Sequence, residues 1–173
     1  MRELLSEQMI QTRVRELASE IRRDYEGKKP LLIGILKGSF VFLSDLIREL
    51  NMDLEVDFMA TSSYGDATTS SGVVALTKDL DVAIEGRDVI IVEDIVDTGL
   101  TLSYLCRTLD QRLPSSLAVC ALLDKSARRE TEVQVDYCGF DIEDGFVVGY
   151  GIDYAQKFRH LPYIAIIEEE VHE

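Results

Sequence analysis

Three carboxylates fall within five residues of the segment VIIVEDIVDTGLTL, Val89 to Leu102, directly behind four apolar residues. Glu93, Asp94 and Asp97 thus follow a short branched run of the kind that forms a buried strand, and are expected at its carboxyl end. The stretch Asp97, Thr98, Gly99, Leu100 and Thr101 then has the composition of a turn that opens a helix. Backbone N–H groups exposed at such a turn carry partial positive charge, glycine allows close approach, and the hydroxyls of Thr98 and Thr101 can donate to the same anion. One segment therefore offers an anion cradle beside acids that can face sugar hydroxyls or a metal. Asp97 can equally be a plain helix N-cap, because Asp is a favoured cap residue.

The elements that position these groups follow from periodicity. Ile10, Val14, Leu17 and Ile21 recur at helical steps, with Ser6 as a candidate N-cap and Gly27 as a terminator, so the chain is expected to open on an amphipathic helix. LLIGIL reads as a buried strand, KGS as a glycine turn, and Leu43, Leu46, Ile47 and Leu50 as a second helix. Leu54, Val56 and Phe58 alternate with Glu55 and Asp57 as a strand with one wet face would. The small polar stretch TSSYGDATTSSG then breaks all periodicity and is expected to be a flexible loop, longer than most connections. DVIIV, DTGLTLSYLCRTLDQRL and SLAVCALL repeat the strand, turn–helix and strand pattern, followed by the apolar segments FVVGY and YIAII. Strands alternating with helices predict an α/β fold with a mostly parallel central sheet flanked by helices, over one domain spanning 1–173. Ligands of such sheets sit at the carboxyl ends of strands.

Thirty-two acidic against 18 basic residues give a formal net charge of −14, which disfavours nucleic acid as a partner. No apolar run approaches the roughly 18 residues of a membrane span, and the charged, amphipathic start differs from a signal peptide, so no membrane partner and a cytoplasmic location are expected. Cys106, Cys120 and Cys138 lack the spacing of a zinc or redox motif, and His160 and His172 fit no triad.

The combination of Glu93-Asp94 with IVDTGLT resembles the fingerprint with which type I phosphoribosyltransferases bind 5-phosphoribosyl diphosphate. ILKGS, SSYG and DYAQKFR extend the resemblance over nearly the whole chain, toward the hypoxanthine-guanine branch. It implies the type I fold with a small hood region and a flexible catalytic loop. It also implies transfer of phosphoribose to a 6-oxopurine, with Asp97 as general base near the purine N7. By the same resemblance Asp97, Thr98, Gly99, Leu100 and Thr101 bind the 5'-phosphate, while Glu93 and Asp94 hold the ribose hydroxyls directly or through metal-bound water. Leu36, Lys37, Gly38 and Ser39, across a peptide that can be cis, bind pyrophosphate together with Arg159, the loop chiefly through its main-chain N–H groups. Ser63 and Tyr64 close the lid. Ile95, Lys125, Phe146, Val147 and Asp153 belong to the purine side of the site, with Lys125 donating to the 6-oxo group and Phe146 stacking. Glu93, Asp94 and Asp153 are the implied magnesium ligands, and a homodimer or homotetramer the implied assembly.

Plainer readings stand beside these. Lys-Gly after a strand is an ordinary turn, a lysine at a strand end is often just solvated, and FVV suits core packing. Two rival functions also fit parts of the pattern. A nucleotide-responsive RNA-binding regulator on the same fold needs a basic face, which a charge of −14 makes a poor fit. An aspartyl-phosphate chemistry needs acids two apart, whereas Asp94 and Asp97 are three apart.

Overall fold

Six strands make up the main sheet of the computed structural model, which describes residues 1–64 and 73–168. They are β2 (Leu31–Leu36), β3 (Glu55–Tyr64), β4 (Val73–Lys78), β5 (Asp88–Val96), β6 (Ser116–Asp124) and β7 (Tyr137–Asp141), in the spatial order β4-β3-β2-β5-β6-β7. All neighbours run parallel except the β3–β4 hairpin. A smaller antiparallel sheet joins β1 (Arg2–Leu5), β9 (Ile164–Ile167) and β8 (Phe146–Val148), in that order, and forms the hood.

Helices α1 (Glu7–Asp24) and α2 (Phe40–Leu50) cover one face of the main sheet, and α3 (Leu100–Asp110) covers the other. The strands show why their sequences look continuously apolar. In β5, Ile90 and Val92 join the cluster with Leu17, Phe42 and Leu46, while Val89 and Ile91 join the cluster with Leu102 and Leu105. With helices on both sides, neither face of such a strand tolerates polar residues. Ser6 is the N-cap of α1 as expected, its hydroxyl accepting from the Met9 amide at 3.1 Å, and Ile10, Val14, Leu17 and Ile21 are buried.

Several expectations are corrected. A strand, β1, precedes the helix on which the chain was expected to open. Thr61–Tyr64 of the expected loop continue β3, with Ser63 opposite Val74 and Tyr64 opposite Val73. The Ser63 and Tyr64 side chains, residues 65–72 and His172 lie outside the described part, so the lid does too. In β3 the wet face is reversed at its centre: Asp57 is 5% exposed and Val56 is 37% exposed. Burial of Asp57 is offset by three backbone donors, the amides of Phe58, Asp81 and Val82 at 2.7, 2.9 and 3.3 Å. β5 runs through Val96, so Glu93 and Asp94 lie within the strand and not beyond it.

Edge strand β7 is closed by a side chain. The Arg13 guanidinium on α1 donates to the carbonyls of Cys138 at 2.7 Å and Gly139 at 2.9 Å. These bonds both satisfy β7 and block further pairing along that edge. Arg13→Ala is expected to lower unfolding stability by about 2 kcal/mol, the scale of hydrogen bonds to a charged donor, read as a lower urea midpoint with unchanged slope.

Candidate active site

Three chain turns converge at the carboxyl ends of β2 and β5. The first, Leu36 to Ser39, leads from β2 into α2; its Leu36–Lys37 peptide is cis. The second, Asp97 to Gly99, leads from β5 into α3. The third, around Gly151 to Arg159, descends from the hood. Together they wall a polar cleft of about 310 Å³ that contains Leu36, Lys37, Gly38, Glu93, Asp94, Ile95, Asp97, Thr98, Gly99, Thr101, Asp153 and Arg159.

Electrostatics divide this cleft into regions of opposite preference. Both α2 and α3 start here without a side-chain cap and without an acidic residue in the first turn, in a chain carrying 32 acids. The first amide of each is held, Phe40 by the Lys37 carbonyl and Leu100 by the Thr98 hydroxyl, and the N-terminal ends still favour anions. Gly99, the N-cap of α3, has φ +88°, and the turn packs so closely that a Cβ there would meet the Thr131 carbonyl oxygen at 2.7 Å. Between the helix starts stands the Glu93–Asp94 pair. Burial, and then the neighbouring Asp94 carboxylate, pushes Glu93 well above the usual carboxylate range; burial also raises Asp94. Asp94 keeps some solvent contact, yet the chain around it displaces bulk water from the cleft floor.

These crowded acids fit a hard divalent cation, whose charge would relieve both the burial and the repulsion. Among the described residues no three metal-binding side chains gather into a ready-made cage. Asp153 shares the cleft but is engaged elsewhere: its carboxylate accepts from the Gln156 amide at 2.8 Å and pairs with Arg159 at 3.3 Å. A cation held chiefly by ligand oxygens and water, with Glu93 and Asp94 nearby, matches magnesium's coordination habits.

A second cleft of about 320 Å³ adjoins the first and is lined by Asp97, Lys125, Arg128, Asp144, Gly145, Phe146 and Ile167. Asp97 belongs to both. Phe146 is 61% exposed and presents its ring, in an edge contact with Tyr154 at 6.4 Å between centroids. Lys125 is 8% exposed, so it is not the solvated lysine its strand-end position allows, and its ammonium lies 3.8 Å from Asp144.

The side chains of some other expected residues lie away from the groups they were expected to face. Ser39 is fully buried, its hydroxyl donating to the Ile35 carbonyl at 2.8 Å, and Leu100 opens α3 outside the cleft wall. The Val147 side chain is buried in the core, which does not bear on the backbone role the resemblance gives it, while Ile95 and Asp153 face the polar cleft and not the aromatic one. Asp97 is not a helix cap, since Gly99 takes that position; instead its carboxylate accepts from Arg128 Nε at 2.6 Å. Arg128 and Arg129, within DKSARRE, were not singled out by motif or periodicity. Arg129 donates to the Asp97 carbonyl at 2.8 Å and to Asp124 at 2.6 Å, and the amides of Glu130 and Thr131 donate to the Thr98 carbonyl. This segment props the Asp97–Gly99 turn from behind. Only its proximity to Lys125 in sequence hinted at the site.

Residues 1–155 match the phosphoribosyl transferase domain family, and the chain belongs to that family. Its branch is that of the hypoxanthine(-guanine) phosphoribosyltransferases. The chain is 48% identical over 170 residues to the hypoxanthine-guanine phosphoribosyltransferase of Bacillus subtilis strain 168, covering 98% of this chain and 94% of that protein. It is also 48% identical over 169 residues to the bifunctional protein TilS/HprT of Listeria monocytogenes serotype 4b, covering 98% of this chain but 26% of that longer protein. The crystal structure of a hypoxanthine-guanine phosphoribosyltransferase from Bacillus anthracis, with a HEPES molecule in its active site, superposes with TM-score 0.93 at 49% identity, over 97% of this chain and 99% of that one. The RNA-binding regulator reading finds no support among these relatives.

Proposed function

We propose that this protein is a purine-salvage enzyme: it transfers the 5-phosphoribosyl group of 5-phosphoribosyl diphosphate to N9 of hypoxanthine, and of guanine, releasing pyrophosphate. The observation that carries the reading is the place of Asp97, where an anion-seeking cleft meets a cleft offering an ammonium and an exposed aromatic ring. A sugar phosphate in the first and a 6-oxopurine in the second would join beside that carboxylate.

The roles follow from charge. The amides at the start of α3, with Thr98 and Thr101, bind the 5'-phosphate. Lys37, Gly38 and Arg159 bind the diphosphate. Positive charge develops on the ribose as the bond to C1 loosens, and the Glu93 and Asp94 carboxylates favour it. Asp97 accepts the proton on the purine imidazole as the bond to N9 forms, leaving a neutral base in the nucleotide. Lys125 donates to the 6-oxo oxygen and Phe146 stacks on the ring. Glu93 and Asp94 would hold a magnesium ion directly or through water, and its charge would offset that of the departing diphosphate.

The reading takes residues 1–173 as one domain, working in the cytoplasm as a homodimer or homotetramer. Among the described residues no helix is long and apolar enough to cross a membrane. The test is ultraviolet-monitored nucleotide formation with magnesium and 5-phosphoribosyl diphosphate, offering hypoxanthine, guanine, xanthine and adenine separately. Turnover of hypoxanthine or guanine is expected; turnover of adenine alone, or of no base, would overturn the reading.

Lys125→Ala tests the base pocket. A charge-assisted hydrogen bond of about 1.5 to 3 kcal/mol corresponds to a roughly 10- to 150-fold weaker KM for hypoxanthine. Affinity for 5-phosphoribosyl diphosphate should stay within about twofold, because Lys125 lies outside the polar cleft.

A further inference from the structure

Arg128 joins the groups that would face the purine. Its Nε donates to Asp97 Oδ1 at 2.6 Å and its Nη1 donates to Asp144 Oδ2 at 3.0 Å, while the other Asp144 oxygen lies 3.8 Å from the Lys125 ammonium. A chain of alternating charge, Asp97–Arg128–Asp144–Lys125, therefore runs along the wall of the aromatic cleft. Its two ends are the proton acceptor and the oxo-group donor. Arg129 holds the Asp97 backbone from behind, so the side-chain torsions are what remain to be set.

We propose that Arg128 is a positioning residue for the transfer reaction. It fixes one Asp97 oxygen and aims the other at the purine imidazole, with Asp144 anchoring the guanidinium and fixing its distance from Lys125. This rests on the salvage reading above. A planar guanidinium suits the task because Nε and Nη1 can grip two separate carboxylates in a fixed fork. An ammonium is a point charge that reaches one carboxylate at a time.

Arg128 is 43% exposed at its side chain, so substitution should leave the fold intact. The experiment is a single-turnover measurement of nucleotide formation with hypoxanthine for the wild-type chain, R128Q, R128K, D97N and the R128Q/D97N double variant, together with titration of 5-phosphoribosyl diphosphate. R128Q is expected to slow the chemical step about tenfold, short of the roughly 10²-fold that a 1 Å misplacement can cost. Sugar diphosphate affinity should hold within about twofold, R128K should recover part of the rate, and R128Q should add no loss in the D97N background. An unchanged or faster R128Q would overturn the proposal, as would an equal loss with Asp97 already replaced, which would mark Arg128 as wall packing only. Failure of the wild-type chain itself to form nucleotide would instead remove the salvage reading.

Discussion

Asp97→Asn is expected to slow the chemical step of nucleotide formation by about 10² to 10⁴, the range supplied by a positioned general base. The amide keeps the size and shape of the carboxylate but has no site that takes up the purine proton. Asp97 is half-exposed and its backbone is held separately by Arg129, so the turn should survive the change. Thermal unfolding should move by no more than a few degrees, and 5-phosphoribosyl diphosphate should still bind. The loss must be read in single turnover, because slow product release in the steady state would mask a slower chemical step. A normal single-turnover rate in the folded variant would take the base role away from Asp97.

Gly38→Ala is expected to act on a different group through sterics alone. A Cβ at Gly38 would stand 1.8 Å from Asp94 Oδ2 and 2.7 Å from its carboxyl carbon. Asp94 cannot simply swing aside, since its other oxygen accepts from the Ile95 amide at 2.8 Å. On the far side Gly38 packs against a second glycine, Gly151, where even a Cβ would stand only 2.4 Å from the Gly38 carbonyl oxygen. One methyl therefore expels a carboxylate from the sugar side of the cleft. Overpacking of this kind costs about 1 to 3 kcal/mol in stability, and displacement of the site should weaken 5-phosphoribosyl diphosphate by about 10²-fold or more in a calorimetric titration. In an Asp94→Ala background the same substitution should add little. Full affinity in Gly38→Ala would show that the ligand does not need Asp94 where it stands.

The central strands were legible because burial on both faces leaves a plain record: LLIGIL, VIIV and SLAVCALL carry almost nothing but branched and small residues. RELL, VVALTK and YCGFD left no such record, being edge or hood strands that pair on fewer sides and keep polar residues. Asp57 misled the alternation because its satisfying amides, on Asp81 and Val82, come from a turn 24 and 25 residues downstream. The acid-rich turn was readable because anion binding demands glycine, small hydroxyls and an open helix start in a fixed order. Arg128 was not, since an arginine chooses its partner through the tertiary fold, and among the residues of DKSARRE nothing local distinguishes the one that reaches Asp97.

The hood draws its strands from widely separated parts of the chain, Arg2–Leu5 pairing with Ile164–Ile167. β1 precedes the other described strands in the chain yet finds its partner only after some 160 residues have followed. Contacts of such long sequence separation form late, after the loop-closure entropy has been met. On the ribosome the main sheet can collapse early around α1 and α2, while the roof that carries Asp153 and Arg159 waits for β9 to emerge. A nascent chain stalled before Ile164 would therefore hold a phosphate-type turn without its cover. Removing residues 164–168 should leave compact secondary structure that no longer encloses a sugar diphosphate, which makes the pairing of β9 the step that turns a folded sheet into a working site.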